Sequence, residues 1–145
     1  MNAPAPRLIP LSPELSVAGR LDAADIDALA RAGVRTIVNN RPDGEDPGQL
    51  PAAEARRLAE ARGLQYRHIP ITAASLSRAD VESFAAALKT APGPIVAHCR
   101  SGTRSALLWA LVRLGEGADP FTLVAEAARN GIDIASLPAV AARLR

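Results

Sequence analysis

The chain has 145 residues, 48% of them hydrophobic and 22% charged, which excludes a wholly disordered polymer and fits one folded unit spanning 1–145. Its longest apolar stretch, Ala106 to Val112, is far short of the roughly 20 residues that span a bilayer. The formal charge of +2 comes mostly from arginines interspersed with acids, and aromatics are only 3%, so neither a basic patch nor stacking platforms speak for nucleic acid.

Met1 to Leu11 carries three prolines and no apolar signal-peptide core, so a cytoplasmic protein with no membrane partner is expected. After the Ser12-Pro13 turn, Leu15 to Ala18 reads as a short strand. Asp22 caps a helix through about Ala32, which Gly33 ends, and Arg35 to Asn39 is the next strand. Arg41 to Gly48 is a polar loop punctuated by Pro and Gly. Pro51 to Arg62 forms an amphipathic helix closed by Gly63, and Gln65 to Ile69 is a strand. Ser77 caps a helix to about Lys89, stopped by Pro92-Gly93-Pro94. Ile95 to His98 is a strand, followed by a helix from about Arg104 to Leu114. Asp119-Pro120 opens another helix, with Asp at the N-cap and Pro at the first helical position, and a short helix spans Leu137 to Leu144. Trp109 with Leu107, Leu108 and Leu111 reads as core. Strands alternating with helices imply a three-layer α/β/α sandwich around a largely parallel sheet. Ligands bind such sheets beyond the carboxyl ends of the strands, where the loops after Asn40 and His98 emerge.

The informative segment is His98-Cys99-Arg100-Ser101-Gly102-Thr103-Arg104-Ser105. It leaves an apolar strand, contains Gly, and enters a helix, a geometry that aims successive backbone N–H groups at one anion. Cys99 sits at its mouth as nucleophile, with the helix dipole and two guanidiniums favouring thiolate. Arg104 is expected to clamp two oxygens of the substrate and Ser105 to donate its hydroxyl hydrogen to the sulfur. Arg100, Ser101, Gly102 and Thr103 are expected to line the anion. The alternative is a cysteine packed in a strand-to-helix turn. His98 either orients the loop or is a hydrogen-bonded, half-buried histidine. His68 reads as structural. Arg41, Asp43, Glu45 and Asp46 lie in the neighbouring polar loop, as supporting groups or as a solvated turn. With one Cys and two His there is neither an internal disulfide nor a usual structural zinc site, and no cofactor is expected.

Three segments carry a resemblance: Arg35 to Glu45, Tyr66 to Ile71 and Ala97 to Ala106. With them the whole chain resembles the bacterial beta-lactamase-hydrolase-like, phosphatase-like domain family, found alone or fused to persulfide dioxygenase or sulfide:quinone oxidoreductase modules. The resemblance implies a fold similar to dual-specificity protein phosphatases. Two departures stand out. Cysteine phosphatases have five residues between Cys and Arg, whereas four separate Cys99 from Arg104, as in rhodanese-type sulfurtransferases. The phosphatase general acid follows the segment matching Ile69-Pro70-Ile71, yet Thr72 to Ser77 contains no acid, leaving Asp43, Glu45 or Asp46 as substitutes.

These departures lead to the expectation of a sulfurtransferase. Cys99 takes sulfane sulfur from thiosulfate or a low-molecular-weight persulfide and passes it to an external thiol or cyanide. The first alternative is a protein-tyrosine or dual-specificity-like phosphatase with a Cys99 phosphoenzyme. The second is a persulfide or oxyanion sensing module that does not turn over.

Overall fold

The computed structural model describes residues 5–145, so the first four residues of the Met1 to Leu11 stretch, read above for a signal peptide, lie outside the described residues. The elements are β1 (Ile9–Pro10), β2 (Leu15–Ala18), α1 (Ala23–Arg31), β3 (Thr36–Asn39), α2 (Ala52–Ala61) and β4 (Gln65–His68). They continue with α3 (Arg78–Thr90), β5 (Ile95–His98), α4 (Thr103–Gly115), α5 (Pro120–Arg129) and α6 (Leu137–Arg143). The caps expected from sequence are formed. Asp22 and Ser77 each close a capping box with the Asp three residues on, and Asp119 accepts the Thr122 N–H with Pro120 at the first helical position.

The strands order as β1-β2-β5-β3-β4, all parallel except β1 against β2. Residues alternate between faces along each strand. Ala18, Ile37, Tyr66 and Val96 face one way onto Ile26 and Leu29 of α1 and Ala55 and Ala59 of α2. Val17, Val38 and Ala97 face the other way, onto Phe84 of α3, Leu108 and Trp109 of α4, Leu123 of α5 and Leu137 of α6. The layers are therefore α/β/α, as the strand-helix alternation implies. The antiparallel edge strand β1 has no counterpart in the sequence reading. Its Pro10 is tolerated because an edge strand has one side without a neighbour to bond. Among the described residues, no helix is long and apolar enough to cross a membrane.

Register places the chemistry. His98 at the end of β5 pairs with Ala18 and Asn39, and Asn39 pairs with His68. Four parallel strands thus end in line. The segments that follow them, starting at Gly19, Asn40, Ile69 and Cys99, open on the same edge.

Candidate active site

Cys99 leaves the central strand with its N–H donating to the Ala18 carbonyl at 3.3 Å. The chain then folds back, so that the Gly102 N–H donates to Cys99 Sγ at 3.1 Å. Gly102 is the N-cap of α4 and has φ +94, a left-handed conformation suited to glycine. The N-cap amide of the helix therefore faces the sulfur, at the helix end where anions are favoured. The cysteine is fully buried, more enclosed than a nucleophile at the mouth of a loop. Ser101 and Thr103 are exposed on the rim, their hydroxyls 3.3 Å apart. Gly19 presses on the loop from β2: a Cβ there would sit 3.1 Å from the Arg100 carbonyl oxygen.

Arg104, in the first turn of α4, has its donors sharply divided. Nη1 and Nη2 each donate to a Glu45 carboxylate oxygen at 2.8 Å, and Nη1 also donates to the Ile71 carbonyl at 2.8 Å. Among the described residues, the Nε–H and the second Nη2 hydrogen have no oxygen partner. Those two hydrogens lie on one edge of the planar fork, spaced to hold two oxygens of an anion. The Arg104 pKa is raised, first by its hydrogen bonds to Glu45, against a downward pull from burial, and then by the nearby Cys99 and Glu45 charges and a contact with the Cys99 sulfur.

The carboxylates of the polar loop are committed elsewhere. Glu45 accepts from Arg104 and, at 2.9 Å, from Arg41 Nε. Its carboxyl is held below the usual range, chiefly by the Arg104 hydrogen bonds, and is ionised at neutral pH. Asp46 accepts from Arg41 Nη2 and forms an ion pair with Arg100, whose Nη2 lies 3.2 Å from Oδ1. Asp43 accepts the Ala52 N–H at 2.8 Å and so caps α2 from a distance. Arg41 is itself buried, with its carbonyl accepting from His68 Nε2 at 2.9 Å. Ion pairs tie the loop to the site through Arg41, Glu45 and Asp46, while Asp43, Gly44, Pro47 and Gly48 are exposed as in a turn. All three candidate acids accept hydrogen bonds in this arrangement.

Two expectations are corrected. The Ser105 hydroxyl donates to Asn40 Oδ1 at 2.8 Å, not to the sulfur. Asn40 Nδ2 donates to the Ile69 carbonyl at 3.0 Å, so its Oδ1 must accept and the serine must donate. His98 is buried with Nδ1 lacking a hydrogen-bond partner, and is neither half-buried nor fully bonded. Burial pushes its pKa down to about 4, against a smaller upward pull from the Cys99 backbone. Asn40 went unnoticed in the sequence reading, as did the Ile71 carbonyl. The signal for Asn40 was the polar run Asn39-Asn40-Arg41, directly after two apolar strand residues and entirely buried here. A cleft of about 300 Å³ adjoins the site between the start of α1 and the Arg41–Leu50 segment, lined by Arg20, Asp22, Asp46 and Gln49 among others. A larger cleft, about 550 Å³, lies between α3, α4 and α6 and is lined by none of the candidate site residues. Among the described residues, no three His, Cys, Asp or Glu side chains cluster in a way that could hold a metal ion.

The sequence profile described as "Beta-lactamase hydrolase-like protein, phosphatase-like domain" matches residues 7–116. The chain belongs to that family. It is 37% identical over 112 residues to the beta-lactamase hydrolase-like protein of Xylella fastidiosa strain 9a5c, covering 77% of this chain and 26% of the relative. The chain therefore spans about a quarter of that relative's length. A Neisseria meningitidis crystal structure, provisionally described as a phosphatase, matches at TM-score 0.82 and 31% identity, over 91% of this chain and 94% of its own. Kinase-associated phosphatase shares the fold at TM-score 0.66 and 18% identity, over 79% of this chain and 74% of its own. The frame is thus that of the dual-specificity phosphatases, as the resemblance implied. The expectation of a sulfurtransferase finds no support among these relatives.

Proposed function

We propose that this family member is a cysteine-dependent phosphatase acting on a small phosphoester. The observation that carries the reading is the open edge of Arg104 beside the Cys99 sulfur, in a loop whose Gly102 N–H already points at that sulfur. Cys99 thiolate attacks phosphorus, a P–S bond forms, and the P–O bond to the leaving group breaks with its electron pair going to oxygen. Water then cleaves the phosphocysteine, returning the pair to sulfur and releasing inorganic phosphate and a proton. Arg104 Nε and Nη2 hold two phosphoryl oxygens, while backbone N–H groups from Arg100 to Ser105 surround the third. Arg100, Ser101, Gly102 and Thr103 supply the rim. His98, Arg41, Asp43 and Glu45 support the loop from behind. Because Cys99 is buried, the loop has to shift for the anion to reach it.

The test is intact-protein mass spectrometry after rapid acid quench with dinitrophenyl phosphate, beside steady-state release of the phenol. A phosphate-sized mass gain on Cys99, absent in Cys99→Ser, and sustained turnover are expected. Failure of both overturns the reading. The four-residue spacing between Cys99 and Arg104 favours one rival, sulfur transfer, so thiosulfate is the parallel arm. A one-sulfur gain with sulfite release, without phosphate turnover, replaces the phosphatase by the sulfurtransferase.

A further inference from the structure

We infer that the substrates are phosphoesters or phosphoanhydrides whose leaving group departs as a weakly basic anion, and that this chain does not hydrolyse alkyl phosphates at useful rates. The inference rests on the phosphatase reading and narrows it to a substrate class. When sulfur displaces the leaving oxygen, the P–O electron pair has to be accommodated. A strongly basic alkoxide needs a proton in the transition state, delivered by a protonated group within hydrogen-bond reach. An acidic phenoxide or a phosphate leaving group does not.

The titratable groups packed around the loop are engaged elsewhere as placed, Asp22 and Asp25 in the α1 capping box and Asp133 on the Ala135 N–H among them. Glu45 is ionised and tied to two arginines, and Asp46 accepts from Arg41 and is ion-paired with Arg100. Asp43 is turned to the α2 N-terminus. Asp80 is bonded back to Ser77 in the α3 capping box. His98, with its pKa at about 4, is neutral at pH 7 and buried. His68 faces the Arg41 carbonyl, which can only accept, so its Nε2 hydrogen is spent there. On the segment after Ile71, the Thr72 and Ser75 hydroxyls bond one another at 3.0 Å. What the rim offers instead is fixed positive charge. The Arg100 side chain is 62% exposed, with Nη2 ion-paired to Asp46. Such a guanidinium stabilises a departing oxyanion by charge without transferring a proton.

The experiment is a leaving-group series measured as kcat/KM on the whole chain. It runs from dinitrophenyl through nitrophenyl to phenyl phosphate, with inorganic pyrophosphate as the anhydride and glycerol phosphate as the alkyl ester. The expected dependence is steep, with glycerol phosphate at least about a hundredfold below the aryl esters, the scale of a missing proton donor. Asp43→Asn and Asp46→Asn should leave the slope unchanged, since neither carboxylate supplies a proton. Turnover with a shallow slope, efficient glycerol phosphate hydrolysis, or a slope made steeper by either amide overturns this inference and leaves the phosphatase reading standing. No turnover of any member, the dinitrophenyl ester included, overturns both.

Discussion

Replacing Glu45 with Gln separates two roles that its carboxylate could play toward Arg104. If Glu45 positions the guanidinium, the anion binds on the opposite edge, Nε and Nη2, and needs the carboxylate in place. If Glu45 is instead an internal competitor for the anion, its neutralisation should tighten anion binding. The donor count favours positioning, because the three hydrogen bonds Glu45 accepts use Arg104 Nη1 and Nη2 and Arg41 Nε and leave the other edge of Arg104 open. Gln keeps the shape, but it has one acceptor oxygen and turns an NH₂ toward a guanidinium.

Charge-assisted hydrogen bonds contribute about 1.5 to 3 kcal/mol each when buried. The Glu45 side chain is 23% exposed and its Arg104 partner 20%, so partial screening lowers that figure. The Arg41 side chain, only 5% exposed, would retain Asp46 as its remaining carboxylate partner. We expect Glu45→Gln to lose about 2 to 3 kcal/mol in urea unfolding and to remain folded. A loosened Arg104 should cost roughly a hundredfold in turnover, the scale of a 1 Å misplacement. Inorganic phosphate titrated into folded protein by calorimetry should bind at least tenfold more weakly to the variant. Unchanged or tighter phosphate binding would refute the positioning argument.

Three further outcomes follow from the same geometry. Arg104→Lys keeps the charge and loses the fork, so turnover should fall roughly tenfold to a thousandfold in steady-state assays; near wild-type kinetics would show that the open edge does not meet the substrate. His98, depressed from 6.5 to about 4, binds more protons unfolded than folded between those values, so stability should be full above pH 6.5 and decline by up to about 3 kcal/mol as pH falls to about 4. Urea midpoints across that window check this, and His98→Asn should flatten the decline. Ser105→Ala leaves the buried Asn40 Oδ1 without its donor and should cost about 1 to 3 kcal/mol in urea unfolding, whereas unchanged stability with altered thiol reactivity would return the hydroxyl to the sulfur.

Local chemistry with short-range causes could be read from the sequence. Asp22, Ser77 and Asp119 cap their helices because side chain and backbone partner lie three residues apart. The apolar Ile95-Val96-Ala97 run became the central strand, and Gly102 became the left-handed helix start. The partners of Arg104, by contrast, lie 59 residues away at Glu45 and 33 away at Ile71, and no local pattern assigns them. The same holds for Ser105, whose nearest obvious acceptor was Cys99 but whose partner is Asn40, 65 residues distant. Asp43, Glu45 and Asp46 resembled a solvated turn because Asp and Gly recur in turns. Only the strand register, which sets Asn39 beside His98, brings that stretch to the site.

The shortened loop and the missing acid belong to one arrangement. With four residues between Cys99 and Arg104, α4 begins at Thr103 and its N-cap amide lands on the sulfur. Arg104 then stands in the first helical turn, close enough to the sheet edge for Glu45 and Ile71 to hold one side of it. That hold occupies the acidic side chain best placed to face a leaving group. It also aligns the guanidinium without rearrangement at the moment of attack, which is where preorganised charge contributes most. A carboxylate that orients a cation cannot also carry a proton at neutral pH. The geometry therefore favours binding the phosphoryl group over protonating what leaves it, and selection among substrates passes to the leaving group itself.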